Sequence, residues 1–242
     1  VRKQEYAKIF AELEAVAKVQ SVKSSNAIEG IVTSDERIAA IVNQDSAPLN
    51  HTEGEIAGYR DALNAIHLNH DILDLRQSDI LRLHETMMQI AGYEYGGKYK
   101  TGDNYIIEED QAGNRKVRFK PTSALEVETA MEQLELAYMD ARSNSNINGL
   151  LLIPCVILDF LCIHPFRDGN GRMSRLLSLL LLGGDKETKL SIVNCIAKII
   201  GNKSNFLSLD MNEYSLESSI YKLIGTPGGN DNYIFNKIRH NP

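Results

Sequence analysis

The 242-residue sequence has few cysteines, few prolines and no excess of basic charge. Its three cysteines, Cys155, Cys162 and Cys195, form no CxxC pair, which excludes a zinc ribbon. Their odd number and their apolar neighbours predict buried thiols in a reducing compartment. The six prolines form no Pro-rich stretch, which excludes a collagen-like or Pro-rich chain.

Long hydrophobic runs are also missing. The run Gly149–Ile163 is interrupted by Pro154 and Asp159, and the run 176–182 is far shorter than the roughly 20 residues that cross a bilayer. The N-terminus has no basic-then-apolar signal peptide, so we expect a cytoplasmic protein with no membrane partner. A net charge of −6 argues against a nucleic-acid partner, because counterion release needs clustered Lys and Arg.

Most of the chain has the hydrophobic pattern of α-helices. Apolar residues from Ile9 to Ala17 follow helical spacing, and Gly30 is a natural residue to end a helix. Two further helices open with capping-box sequences at Thr52 and Ser123. Beyond the first, the predicted helices cover 22–29, 52–69, 78–90, 123–142, 147–163, 170–182 and 186–200.

One interval, from Gly96 to Pro121, departs from this pattern. Two short β-forming runs, 105–107 and 117–119, flank a polar turn that contains Gly113, which predicts a β-hairpin. A lone hairpin is marginally stable in water, so we expect it to lie as a flap over a helical body. The predicted fold is all-α, a helical bundle with a β-hairpin flap.

The segment His164–Arg175 joins two apolar helices and is itself strongly polar. The run Gly169–Gly171 lacks side-chain bulk, so successive backbone N–H groups can converge on an anion at a helix N-terminus. Arg172 and Arg175 are three residues apart, where both side chains can reach an oligophosphate. The pattern predicts a phosphate-binding turn.

Two further side chains of this segment point to chemistry at the phosphate. Asp168 would be repelled by a bare phosphate, so its position predicts a hard cation such as Mg²⁺ between the two. His164 carries an imidazole, which titrates near neutrality and can accept a proton from an attacking hydroxyl. The segment therefore combines a phosphate clamp, a metal ligand and a base.

These residues resemble the signature of the Fic (Fido) family, His-x-Phe-x-[Asp/Glu]-Gly-Asn-Gly-Arg-x-x-Arg, and they fill every fixed position. The resemblance implies a helical core with a hairpin flap, and transfer of AMP from ATP, with Mg²⁺, to a hydroxyl side chain of another protein. It implies that His164 is the base, Asp168 the Mg²⁺ ligand, Gly169, Asn170 and Gly171 the phosphate nest, Arg172 and Arg175 the phosphate contacts, and Phe166 a buried anchor.

A second motif, Ser25–Gly30, is similar to the inhibitory motif of this family, [Ser/Thr]-x-x-x-Glu-[Gly/Asn]. Ser25 and Glu29 are four residues apart, so they face the same side of one helix. The resemblance implies that Glu29 pairs with Arg175 and keeps the γ-phosphate out of its productive pose. Taken alone, the motif is more typical of a solvated glutamate before a helix-ending glycine.

The resemblance extends to the hairpin and the C-terminal part. The segment 97–100 is similar to the one that leads into the family's flap, although relatives usually carry Arg where this chain has Lys100. The implied target-binding strand comprises Asn104, Tyr105, Ile106 and Ile107, and a purely structural hairpin is the alternative. Tyr214 lies in a segment similar to the region that contacts the nucleotide base. The implied division is an inhibitory N-terminal extension (1–70), a Fic core (71–205, flap 96–120) and a C-terminal segment (206–242).

Several activities are compatible with these residues. Transfer of UMP or phosphocholine, phosphate transfer, and removal of AMP would use the same site. A catalytically silent nucleotide-binding module is an alternative of another class. The expected partners are ATP and a target protein that presents a hydroxyl side chain, and a homodimer stays open.

Overall fold

The computed structural model describes residues 2–109, 113–144 and 146–183, which belong to one unit, Val1–Asp185. The predicted helix 186–200, the segment 206–242, Cys195 and Tyr214 lie outside the described residues. The elements are α1 (Arg2–Ile28), α2 (Asp35–Gln44), α3 (His51–Asn69), α4 (Gln77–Gln89), β1 (Ile106–Glu109), β2 (Arg115–Phe119), α5 (Val127–Ser143), α6 (Gly149–Ile163) and α7 (Asn170–Gly183). None of these helices combines the length and the apolar content needed to cross a bilayer.

The prediction of an all-α fold with one β-hairpin is confirmed in the described part of the chain. Helix α3 packs against α1, α2, α4 and α7, and most of its side chains are buried. Helix α6 lies between α5 and α7. Burial of apolar side chains where these helices meet supplies the main stabilisation and holds the α6–α7 turn in place.

The N-terminal helices differ from the prediction. The predicted first helix and the helix 22–29 form one continuous helix, α1, which ends two residues before Gly30. Val16 and Ala17 of its predicted apolar stripe are exposed. Helix α2 was not predicted, because only Ile38 and Ile41 are buried along its ten residues and no long apolar period results.

Neither predicted capping box lies at the residue where its helix begins. Helix α3 starts one residue earlier than Thr52, because the Asn50 side chain accepts from the Glu53 N–H at 2.9 Å. At Ser123 a 3₁₀ turn, Ala124–Glu126, precedes α5. The Ser123 hydroxyl donates to the Glu126 carboxylate at 2.6 Å and caps no backbone N–H.

The predicted hairpin forms, whereas the two cysteines that the structure describes are less buried than predicted. Strands β1 and β2 pair antiparallel, with Ile107 opposite Val117 and an irregularity after Ile106. The prediction of buried thiols is wrong for Cys155, which is exposed on the outer face of α6, whereas Cys162 is half-buried. The apolar run around Cys155 reflects a helix with one face turned outward.

Candidate active site

The turn from α6 to α7 has a conformation that an ordinary residue adopts only at a cost. His164 ends α6 in the left-handed region, with φ 50° and ψ 60°, and its N–H donates to the Phe160 carbonyl at 2.9 Å. That conformation costs a non-glycine residue about 1–2 kcal/mol. It persists where the surroundings fix it, and such residues cluster at functional sites.

The Asn170 side chain fixes the middle of this turn. Its Oδ1 accepts from the Phe166 N–H at 2.9 Å, and its Nδ2 donates to the Phe166 carbonyl at 2.8 Å. Asn170 is 2% exposed, and Phe166 is fully buried, as predicted. The Asn170 amide group therefore serves the turn, and its backbone N–H is the group left for an anion.

The first turn of α7 presents two of the three backbone amides that the sequence predicted as a phosphate nest, those of Asn170 and Gly171, whereas the Gly169 N–H donates to Asp168 Oδ1. The Met173 N–H donates to the Gly169 carbonyl at 2.8 Å, so the N–H groups of residues 170–172 precede the first hydrogen bond of the helix. Gly169 has φ 80°, and a Cβ there would collide with Met87 and Met88. Free N–H groups at a helix N-terminus attract anions, so this turn suits a phosphate.

A carboxylate from α1 lies over this nest. Glu29 Oε1 accepts from Arg175 Nη2 at 2.7 Å, and a Cβ at Gly171 would collide with the same oxygen. Arg175 Nε also donates to the Ser25 hydroxyl at 2.7 Å, and Nη2 to the Ser25 carbonyl at 2.9 Å. The structure brings Ser25, Glu29 and Arg175 together, and a phosphate at Gly171 would compete with the Glu29 carboxylate for both place and charge.

The His164 imidazole is half-buried beside the turn. Burial lowers its pKa from the ordinary histidine value, and the positive charge of Lys100 lowers it further. The Leu161 carbonyl and the carboxylates of Asp168 and Glu29 act in the opposite direction, but burial has the largest effect on this pKa. His164 Nδ1 is buried without a hydrogen bond of good geometry. The imidazole is therefore neutral at neutral pH and able to accept a proton.

Asp168 is the residue that could hold a metal ion. Its Oδ1 accepts from the Gly169 N–H at 2.6 Å, while its side chain stays 54% exposed and its Oδ2 lies 3.8 Å from Arg172 Nη2. Among the described residues no group of three His, Cys, Asp or Glu side chains is placed to bind a metal. Mg²⁺ commonly uses one or two carboxylates and completes its shell with substrate phosphates and water. The donor set fits a Mg²⁺ that arrives with a nucleotide.

Arg172, which the sequence predicts as a phosphate contact, is buried beside a carboxylate of another helix. Its side chain is 2% exposed, and its Nη1 lies 2.8 Å from Glu55 Oε2 of α3. Its buried Nε makes no hydrogen bond. Glu55 also accepts from the Tyr93 hydroxyl at 3.3 Å. Sequence reasoning assigned Glu55 to a capping box, although Glu55 lies on the apolar side of α3, four residues before the buried Tyr59, which was the available signal.

His84 of α4 is a second residue that sequence reasoning missed. It is fully buried, its Nδ1 accepts from the Gly97 N–H at 3.0 Å, and its Nε2 lies 3.1 Å from the Asp168 carbonyl oxygen. Burial lowers the pKa of His84 to about 4, so the ring is neutral at neutral pH. A histidine between the apolar positions Leu83 and Met87 of a predicted helix was the available signal.

The segment before the hairpin is tied to the same turn. The Lys100 N–H donates to the Pro165 carbonyl at 2.9 Å, and Lys100 Nζ donates to Asn104 Oδ1 at 2.7 Å and to the Ile163 carbonyl at 3.4 Å. Asn104 Nδ2 donates to the Phe166 carbonyl at 3.2 Å. Burial lowers the pKa of Lys100, and Asp103 opposes this shift.

The residues predicted to bind a target therefore fall into two groups. Asn104 contacts the turn itself, through the hydrogen bond to the Phe166 carbonyl. Tyr105, Ile106 and Ile107 are exposed, by 49%, 37% and 56%. An exposed β1 can accept an added strand, whereas Asn104 is occupied with holding the turn.

Part of the chain matches a known protein family. Residues 74–182 match the family model described as the Fic/DOC family. This range contains α4, the hairpin and the α6–α7 turn, whereas the motif around Glu29 precedes it. A search of the curated proteins gives no match.

Solved structures match over more of the chain. A Fic domain-containing signaling protein from Bacteroides thetaiotaomicron is 22% identical with a TM-score of 0.62, covering 79% of this chain and 76% of that one. A Fic family protein from Desulfovibrio desulfuricans is 22% identical with a TM-score of 0.56, covering 77% and 58%. Fic-1 from C. elegans is 23% identical with a TM-score of 0.55, covering 69% and 48%. At these identities the likeness concerns the fold, and the chain spans about half of the C. elegans chain.

Proposed function

Because residues 74–182 match the family model described as the Fic/DOC family, we propose that the protein transfers AMP from MgATP to a Ser, Thr or Tyr hydroxyl of a target protein. The observation that carries this proposal is the neutral His164 imidazole, held at the same turn as the free amides of residues 170–172 and the Asp168 carboxylate. A base, an anion site and a metal-binding carboxylate at one turn are the groups that nucleotidyl transfer needs.

In the proposed reaction, the amides of residues 170–172 bind the α- and β-phosphates. His164 takes the proton of the target hydroxyl at Nε2, because Nδ1 is buried. The hydroxyl oxygen forms a bond to the α-phosphorus while the bond from that phosphorus to the bridging oxygen breaks, and pyrophosphate leaves. Asp168 would hold Mg²⁺, which when bound neutralises charge on the phosphates. Arg175 stabilises the leaving pyrophosphate once its guanidinium is released from Glu29.

The same contacts support an inhibited resting state. Arg175 donates to Ser25 and Glu29 through three hydrogen bonds, and the Glu29 carboxylate lies against Gly171 in the nest. A carboxylate at this position supplies Arg175 with the negative charge that a γ-phosphate would otherwise provide. We propose that Glu29 must move before the nucleotide binds in a productive pose.

The test is label transfer to the protein itself in the Glu29→Gly variant. With Mg²⁺, we expect covalent label from ATP labelled at the α-phosphate and none from ATP labelled at the γ-phosphate. Unlabelled UTP and CDP-choline compete weakly if AMP is the group transferred. The Glu29→Gly, His164→Ala double variant is the matched control and stays unlabelled. Label from the γ-phosphate, or equal label in both variants, contradicts the proposal.

A further inference from the structure

His84 connects three different parts of the α6–α7 turn. Its ring stacks on the Phe166 ring, with centroids 3.7 Å apart and planes 9° from parallel. Its Nε2 lies 3.1 Å from the Asp168 carbonyl oxygen, and a Cβ at Gly169 would lie 3.5 Å from the same nitrogen. His84 thus contacts the turn from the buried interior, next to Asp168 and Gly169.

The hydrogen bonds of His84 specify one tautomer. The Gly97 N–H can only donate, so Nδ1 accepts and carries no proton. The proton of the neutral ring is then on Nε2, which donates to the Asp168 carbonyl oxygen, a group that can only accept. Both nitrogens of a fully buried ring are satisfied, so the ring has one orientation and its Nε2–H has one direction.

We propose that His84 is a positioning residue, whose Nε2–H fixes the Asp168 carbonyl so that the Asp168 carboxylate and the Gly169 amide keep the geometry that MgATP requires. The proposal rests on the proposed function only in taking this turn as the nucleotide site. The Asp168 side chain itself has weak restraint, since it is 54% exposed and its carboxylate contacts the adjacent Gly169 N–H and, at 3.8 Å, Arg172. The direction of the carboxylate is therefore set through the backbone, and His84 holds that backbone.

If His84 had a purely structural role, loss of either of its hydrogen bonds would have the same effect. Two amide variants separate this role from the proposed one. In His84→Gln, the side-chain amide reaches the position of Nε2 and can still donate to the Asp168 carbonyl, but the acceptor for Gly97 is lost. In His84→Asn, the amide oxygen takes the position of Nδ1 and can still accept from Gly97, but the donor to Asp168 is lost. Each variant removes one hydrogen bond and a similar part of the ring stacking on Phe166.

The measurement is ATP affinity by titration calorimetry in the Glu29→Gly background, with Mg²⁺ and with EDTA. This readout requires no AMP transfer, so the inference is tested even if the proposed activity fails. We expect the Mg²⁺-dependent gain in ATP affinity to persist in His84→Gln and to fall about 10–100-fold in His84→Asn, the usual cost of losing an outer-shell contact. Affinities in EDTA stay alike in both variants, and melting temperatures fall to a similar extent.

A double-mutant cycle shows whether the effect passes through Asp168. In an Asp168→Ala background, His84→Asn should cause no further loss of the Mg²⁺-dependent gain, because the group it positions is absent. Equal losses in His84→Gln and His84→Asn, or a further loss in the Asp168→Ala background, would overturn the proposal. If His84→Asn does not fold, His84→Gln decides alone, with a retained Mg²⁺ effect supporting the proposal and a lost one overturning it.

Discussion

The Arg172 guanidinium lies 2.8 Å from the Glu55 carboxylate, and both side chains are buried where α3 meets α7. Removing one partner of a buried pair leaves an uncompensated charge, which costs about 3–5 kcal/mol. We expect Glu55→Ala to lower the free energy of unfolding by about that amount. Glu55→Gln should cost less, because the amide keeps a polar oxygen beside the Arg172 guanidinium. Urea unfolding followed by circular dichroism measures both.

The matched control is an exposed ion pair of the hairpin. Arg115 Nε lies 2.7 Å from Glu109 Oε2, with side chains 72% and 53% exposed. Arg115→Ala should cost at most about 1 kcal/mol, because water screens such pairs. If Glu55→Ala destabilises the protein no more than Arg115→Ala does, the pair between α3 and α7 stabilises the protein no more than an exposed ion pair.

Graded release of Arg175 tests the inhibited resting state. Glu29→Gly removes a charged hydrogen-bond partner worth about 1.5–3 kcal/mol, so we expect AMP incorporation to rise about 10–100-fold. Ser25→Ala removes a neutral partner, and we expect a rise of about 2–10-fold. Lys23→Ala, on the same helix but paired with Asp35 at 2.6 Å, should leave incorporation near wild type. A reversed order, with Ser25→Ala above Glu29→Gly, would contradict this account of Arg175.

The pH dependence follows from the lowered pKa of His164. A base acts in its neutral form, so kcat/KM rises with pH through the pKa of His164 in the free enzyme. Because burial and Lys100 lower this pKa, we expect the rise to be centred below the ordinary histidine value of about 6.5. In the Glu29→Gly variant the rise should be centred at a still lower pH, because the Glu29 carboxylate favours the imidazolium and its removal lowers the pKa of His164. Lys100→Met should move the rise to higher pH, and a rise centred above 6.5 in the Glu29→Gly enzyme would refute the assignment.

Asn170 is expected to affect thermal stability and ATP binding because its side chain holds the α6–α7 turn. Asn170→Ala leaves the buried Phe166 N–H without its partner, which costs about 1–3 kcal/mol, and leaves the Phe166 carbonyl with the Asn104 amide alone. We expect thermal unfolding at lower temperature and a parallel loss of ATP binding. Asn69→Ala removes an exposed hydrogen bond to the Ala65 carbonyl at 2.9 Å and serves as the control. Unfolding temperatures that match between the two variants would show that Asn170 does not hold the turn.

The sequence predicted those parts of the site that are formed by neighbouring residues. The turn His164–Arg175 is a single segment, so its glycines, acid, base and arginines could be assigned from order and spacing. Helices α4, α6 and α7 begin and end within about two residues of their predicted bounds because their apolar periods are strong.

Contacts between distant segments were beyond the same reasoning. His84 and Asp168 are 84 residues apart, and no local pattern links them. The buried pair of Arg172 with Glu55 was not predicted because Glu55 belongs to another helix, and only packing of α3 on α7 brings the two side chains together. The Arg175–Glu29 contact spans 146 residues, and the sequence predicted it through a resemblance to a known motif.

Intact-mass spectrometry tests most directly the central claim that the His164 turn transfers AMP. The Glu29→Gly protein is incubated with ATP and Mg²⁺ beside the Glu29→Gly, His164→Ala double variant. The account predicts that the first protein gains the mass of one or more AMP groups while the second stays unmodified. No gain in the first protein, or an equal gain in both, would contradict it.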